Sequence, residues 1–161
     1  MATPTTLPAT FVAGDILTAA QMNALRGAFR ILQVVEGTTT TTVTTSSLTY
    51  VTTGLTATIT PSSTSSKVLV VATSVMGGTN NFSVVTSGLF RGTVAGTNIG
   101  EMAFITNTDF AVSQSIIKLD SPNTASAQTY TLGIKTGSAS NAAYANRFSS
   151  FGSIILMEIS A

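Results

Sequence analysis

The chain has 161 residues, of which 8% are charged and 43% hydrophobic, with a net charge of +1 and neither cysteine nor histidine. That length holds one domain with a core plus a short appendage, not two full domains. The balance excludes disorder, which goes with low hydrophobicity and high net charge, and argues against nucleic-acid binding, because seven scattered Lys and Arg form no basic stripe to neutralise phosphates.

Residues 1–14 are rich in Pro, Thr and Ala, and Pro4 and Pro8 disfavour a helix there. An extended arm is expected, with Leu7 and Phe11 as docking side chains. The segment has neither the basic start nor the continuous apolar run of a signal peptide. A helix is expected next, over about Ala19–Arg30. Thr18-Ala-Ala-Gln21 is a capping box, in which each side chain bonds the other's backbone amide, and Leu17 with Met22 forms the matching hydrophobic staple. Met22, Leu25 and Phe29 then share one face. A helix this short is marginal alone, so its stripe needs a surface to pack on.

From Ile31 the period changes to two. Leu55-Thr-Ala57-Thr-Ile59-Thr alternates as a half-buried strand does. Further strands are expected at Ile31–Val35, Thr38–Val43, Leu48–Val51, Lys67–Val75, Asn81–Arg91, Asn98–Thr106, Phe110–Leu119, Thr129–Lys135 and Ser150–Ile159. Turn chemistry separates them at Thr53-Gly54, Pro61-Ser-Ser, Gly77-Gly78, Gly96, Asp120-Ser-Pro122-Asn123 and Gly137-Ser138. The threonine-rich stretch 38–47 reads as an edge strand or exposed connector, since it carries hydroxyls on both faces. Many strands at regular spacing with no intervening helix predict an antiparallel β-sandwich or a barrel, with a two-sheet jelly-roll sandwich as first choice. The domain division is therefore 1–30 for arm and anchor helix and 31–161 for the β domain. The most apolar run, Val68–Met76, is much shorter than the ~20 residues of a spanning helix, so no membrane insertion is expected.

Little in the chain points to chemistry. Without His or Cys the commonest general base and soft metal ligands are missing. Six carboxylates remain, with no paired-acid motif. Glu101 with Asp109 is the least implausible glycosidase-like pair, and both are expected to be strand-edge charges. Asp120 is expected to cap its own turn. No catalytic, cofactor or metal residue is assigned, and the protein is expected not to be an enzyme. Most strand aromatics are expected in core or interface. Tyr144 and Phe148, flanking the polar segment 138–146, are candidate glycan contacts. Lys118, Lys135 and Arg147 are expected to solubilise strand edges. With so few charges, a lone monomer would expose broad neutral surface, so permanent oligomerisation is expected.

Two stretches carry a resemblance. Phe11-Val-Ala-Gly14-Asp-Ile-Leu17-Thr18-Ala-Ala-Gln-Met-Asn23-Ala-Leu25 resembles the short segment that opens many tailed-bacteriophage tail and fibre proteins. From Ile31 the chain resembles small phage appendage domains, the trimeric jelly rolls of tail fibres and head decoration proteins. The matching pieces are Thr53-Gly54-Leu55-Thr-Ala57-Thr-Ile59-Thr-Pro61-Ser, Ser66-Lys67-Val68-Leu-Val, Leu119-Asp120-Ser121-Pro122, Tyr130-Thr-Leu and Ile154-Ile-Leu-Met157-Glu158-Ile159. The resemblance implies a homotrimer in the virion, assembled in the host cytoplasm and attached to other virion proteins through its N-terminal region. The attachment helix would present Leu17, Thr18, Gln21, Met22, Leu25 and Phe29. Capsid decoration or a short appendage is the expected role. The alternative is a tail fibre that binds host surface glycans.

Overall fold

The computed structural model describes residues 31–79, 83–106 and 111–160. The expected anchor helix, including Leu17, Thr18, Gln21, Met22, Leu25 and Phe29, lies outside the described residues, as do Phe82, Asp109 and Phe110.

The described residues form strands β1 (Ile31–Thr39), β2 (Val43–Thr45), β3 (Val51–Ile59), β4 (Lys67–Gly78), β5 (Ser83–Arg91), β6 (Thr97–Thr106), β7 (Ala111–Asp120), β8 (Gln128–Thr136), β9 (Ala143–Ala145) and β10 (Gly152–Ile159). All pairings are antiparallel. In space β2 continues β1 and β9 continues β10, because β2 pairs β9 just as β1 pairs β10. Four pairs then nest along the chain: β1/β2 with β9/β10, β3 with β8, β4 with β7, and β5 with β6. Rolling that nested ribbon adds two cross-pairs, β10 with β4 and β5 with β8. The result is one sheet ordered β1/β2, β10/β9, β4, β7 against a second ordered β3, β8, β5, β6. This is a β-sandwich in the strand order of a jelly roll.

Strand alternation fills the space between the sheets. Leu55, Ala57 and Ile59 of β3 point inward, while Thr56 and Thr58 between them are exposed. Val68, Val70, Ala72 and Met76 of β4 meet Val85 and Leu89 of β5, Leu132 and Ile134 of β8, and Ile154 and Leu156 of β10 in one core cluster. Tyr130, fully buried, donates its hydroxyl to Asp120 at 2.7 Å. Asp120 also lies 3.5 Å from Arg91. Asp120 was expected to cap its own turn. It is instead buried at the end of β7, where a core tyrosine and a cation satisfy it.

Two breaks expected from the sequence fall inside strands. Thr53-Gly54 is a bulge within β3, at a register shift between Thr52 and Thr56. Gly54 takes φ +78, which glycine adopts without cost, and buried Thr53 bonds the Leu132 carbonyl at 2.8 Å. Gly77-Gly78 ends β4 rather than turning, because Gly77 pairs both Ala111 and Tyr144. The strand expected over Leu48–Val51 begins only at Val51, since Ser47 ties Thr49 into a local turn. The threonine stretch lies on the sheet edge and is interrupted at residues 40–42.

Candidate functional site

The outer face of the first sheet carries the most distinctive surface among the described residues. Cross-strand register places its side chains in rows. Val34, Met157, Leu69 and Leu119 stand side by side across β1, β10, β4 and β7. The next row is Glu36, Ile155, Val71 and Ile117. Alternation points all of these away from the core. Val34 is 58% exposed and Ile117 is 66% exposed. The third row is polar throughout: Thr38, Ser153, Thr73 and Ser115. Ser153 donates to Glu36 at 2.9 Å across that boundary. β4 and β10 read as nearly unbroken apolar runs, the pattern of strands covered on both faces.

The apolar rows lie at the end of the sheet where Ile31 opens β1, beside Ile159 and Lys67. At the far end of the same face stands Tyr144, in register with Thr44 and Gly77. Its neighbours Ala143 and Ala145 are buried, so its ring lies outward. Between β9 and β10 the chain makes an excursion with a 3-10 turn at Arg147–Ser149. Asn146, Phe148 and Ser149 all have positive φ. A bulky residue there is a genuine backbone outlier, and such strain persists only where surroundings fix it. Asn146 does the fixing. Fully buried, it accepts from the Ser74 hydroxyl at 2.9 Å and donates to the Thr41 carbonyl at 3.0 Å. Thr42 in turn donates to the Asn146 carbonyl at 2.7 Å. The excursion brings the two sequence-predicted aromatics together. The Arg147 guanidinium lies 4.9 Å from the Tyr144 ring centre and 4.7 Å from that of Phe148, within cation–π range. Phe148 is 77% exposed.

The second sheet treats its outer face differently. Gly88 and Gly133 pair directly, and a Cβ on Gly133 would meet Val94 at 2.9 Å and Tyr50 at 3.3 Å. That glycine floor lets Tyr50 and Phe90 pack edge to face, 4.8 Å between ring centres. Lys135 covers Tyr50 at 4.4 Å and pairs with Glu101 at 3.8 Å. Tyr50 donates its hydroxyl to Glu101. Burial and that carboxylate push the Tyr50 phenol well above its ordinary range. Lys135, expected to solubilise an edge, is held in this cluster. Beside it Thr52, Thr56, Thr93, Val94, Thr129 and Thr131 line a shallow groove of about 270 Å³.

Among the described residues the acids are engaged in the fold. Glu101 serves the tyrosine cluster. Glu158, 1% exposed, accepts from the Ser62 amide at 2.7 Å, the Ser62 hydroxyl at 2.6 Å and Gln33 at 2.6 Å. Burial alone would raise its pKa, but these bonds and one from Ser66 outweigh it and hold the carboxyl at about 2. No group of three metal-ligating side chains occurs among the described residues. Sequence reasoning picked out Tyr144 and Phe148 but missed Arg147 as their partner and Asn146 as their anchor. An isolated Asn in a polar segment carries no such signal. It also missed the apolar outer face, although the unbroken runs in β4 and β10 were its signature.

No family model matches the chain, and no curated protein matches it. Among solved structures, one of infectious bursal disease virus (Gt strain) is similar at 12% identity and a TM-score of 0.46, covering 80% of this chain and 38% of that one. The VP2 subviral particle of the same virus is similar at 11% identity and 0.45, over 80% and 38%. A Bacillus endospore appendage, described as forming disulfide-linked pili, is similar at 15% identity and 0.34, over 80% and 90%. This chain thus spans well under half of either viral chain, and at such scores neither its fold nor its function rests on the likeness.

Proposed function

We propose that this protein is a non-enzymatic structural component of a bacteriophage virion, a homotrimer attached through residues 1–30 as a capsid decoration protein or short appendage. The observation that carries this reading is the apolar outer face of the first sheet, which starts where the N-terminal segment enters β1. Such a face on a chain with 8% charge belongs to a protein that works inside an assembly. The phage assignment draws on the N-terminal resemblance. Immuno-electron microscopy of particles, with antibody against residues 31–161, tests it. Label over the whole head is the expected result for decoration, and absence of label from every particle would end the phage reading.

A second reading has its own observation. The strained excursion holds Phe148 exposed beside Arg147 and Tyr144. It lies at the end of the sheet away from residue 31, where a fibre would meet its receptor. A tail-fibre role on host surface glycans would follow, with aromatic stacking and guanidinium hydrogen bonds recognising the sugar. Label confined to the tail, and loss of host adsorption in Tyr144→Ala with Phe148→Ala, are its expected results.

A further inference from the structure

We infer that the half of the first sheet's outer face nearest Ile31 is the surface through which copies of this chain associate, and that the half bearing Tyr144 stays outside that contact. The inference rests on the assembly reading above and names the partner of its apolar face.

Three features favour a second copy as the occupant. The first is size. Four strands ~4.8 Å apart, over about six residues of ~3.3 Å each, give a plane of roughly 400 Å². A contiguous apolar patch of several hundred Å² marks an interaction site, and with a polar rim around it such a patch forms the core of an interface of ~800 Å² per partner. The second is charge. The apolar rows include one carboxylate, Glu36, and end at one ammonium, Lys67. A copy of the face therefore meets no excess of like charge, which strongly charged partners would need. The third is the edge of the patch. The row Thr38, Ser153, Thr73, Ser115 crosses all four strands, as a polar rim bounds an apolar interface core. From Leu69 to Gly77 along β4 is about 26 Å at ~3.3 Å per residue, so the Tyr144 end lies well beyond the rim. The chain's own N-terminal segment is a poorer occupant. Its expected apolar stripe, Met22, Leu25 and Phe29, is a single helix face, narrower than two rows that cross four strands.

The full chain has no cysteine, so single thiols report burial directly. Ile117→Cys probes the apolar rows, Phe148→Cys the far end, and Thr58→Cys the exposed face of the second sheet. Light scattering should give a multiple of 16.5 kDa. Maleimide should label the Ile117→Cys protein about tenfold or more slowly than the other two, as protection tracks rare opening. Equal labelling of all three overturns the inference. Slow labelling of Phe148→Cys overturns the half-face assignment. Protection of Ile117→Cys in a 16.5 kDa monomer hands the face to residues 1–30 and also overturns it. The double variant Ile117→Lys with Leu119→Lys should fall to monomer mass, and a multimer that survives it counts against the interface. If that variant does not fold, the thiol rates still decide. A protected multimer that labels no particle upholds the interface and removes the virion role alone.

Discussion

Glu158 shows how a single buried charge ties the chain's last strand to the loop before β4. Gln33 and Ser62 bind both of its oxygens, so the ionised form is the one the fold wants. With a folded pKa of about 2 against an ordinary 4.5, its stabilisation is complete above pH 4.5 and is lost as pH falls toward 2. The shift corresponds to about 3 kcal/mol. Thermal melts between pH 6 and pH 2.5 should show this loss, and Glu158→Gln should remove most of the pH dependence while lowering stability at pH 6. A variant that melts like the parent at pH 6 would mean that the hydrogen bonds contribute nothing net. Tyr130 and Asp120 make a second such pair. Burial and the carboxylate beside it raise the Tyr130 phenol above its ordinary range, so the hydroxyl stays a donor at every working pH. Tyr130→Phe should cost roughly 1–3 kcal/mol in chemical denaturation, the penalty for leaving a buried acceptor short of a partner. Neither role was legible in the sequence, where Glu158 stood only as one residue of the terminal strand and Asp120 looked like a turn former. Burial of a lone acid in an apolar strand depends on a loop arriving from elsewhere in the chain.

Elements were more legible than single residues wherever strand pattern and tertiary environment agreed. β3 was readable from the alternation of Leu55, Ala57 and Ile59, and β4 and β10 from their aliphatic runs. β9 was not, because Ala-Tyr-Ala among Ser and Asn has weak strand preference. It forms because β2 and β4 offer it partners on both edges. The excursion that follows is likewise a tertiary product. Asn146 tolerates the left-handed region better than most residues, and where ladder bonds are missing at residues 40–42 its side-chain amide donates to the Thr41 carbonyl while its backbone carbonyl accepts from the Thr42 hydroxyl. Asn146→Ala should therefore cost about 2–4 kcal/mol, combining left-handed strain with unpaired buried partners. Asn146→Gly should recover only the backbone part. Hydrogen exchange at residues 146–151 should accelerate in both, and unchanged exchange would show that the turn holds itself without the side chain.

At the scale of the whole molecule the two sheets divide the work. The second covers the middle of its outer face with Tyr50, Phe90 and the Lys135–Glu101 pair over a glycine floor, and leaves one apolar pair, Val84 with Ile105, exposed. The first leaves two apolar rows bare at the end where residue 31 enters. Low overall charge announced shared surface but could not say which surface, because inward and outward aliphatics of β4 look alike until register is known. If that face joins copies and residues 1–30 join the assembly to its site, the two functions separate by mutation. Leu25→Asp with Phe29→Asp puts two charges on the predicted helix stripe and changes no residue of the sandwich. Incorporation into particles should be lost, while mass by light scattering and the β circular-dichroism signal stay those of the parent. Mass falling to 16.5 kDa would instead make the stripe a self-association element, since a helix near the marginal length gains most from bundling with its own copies. Incorporation that survives the double variant would move attachment off the helix altogether, onto the arm of Leu7 and Phe11 or onto the sandwich itself.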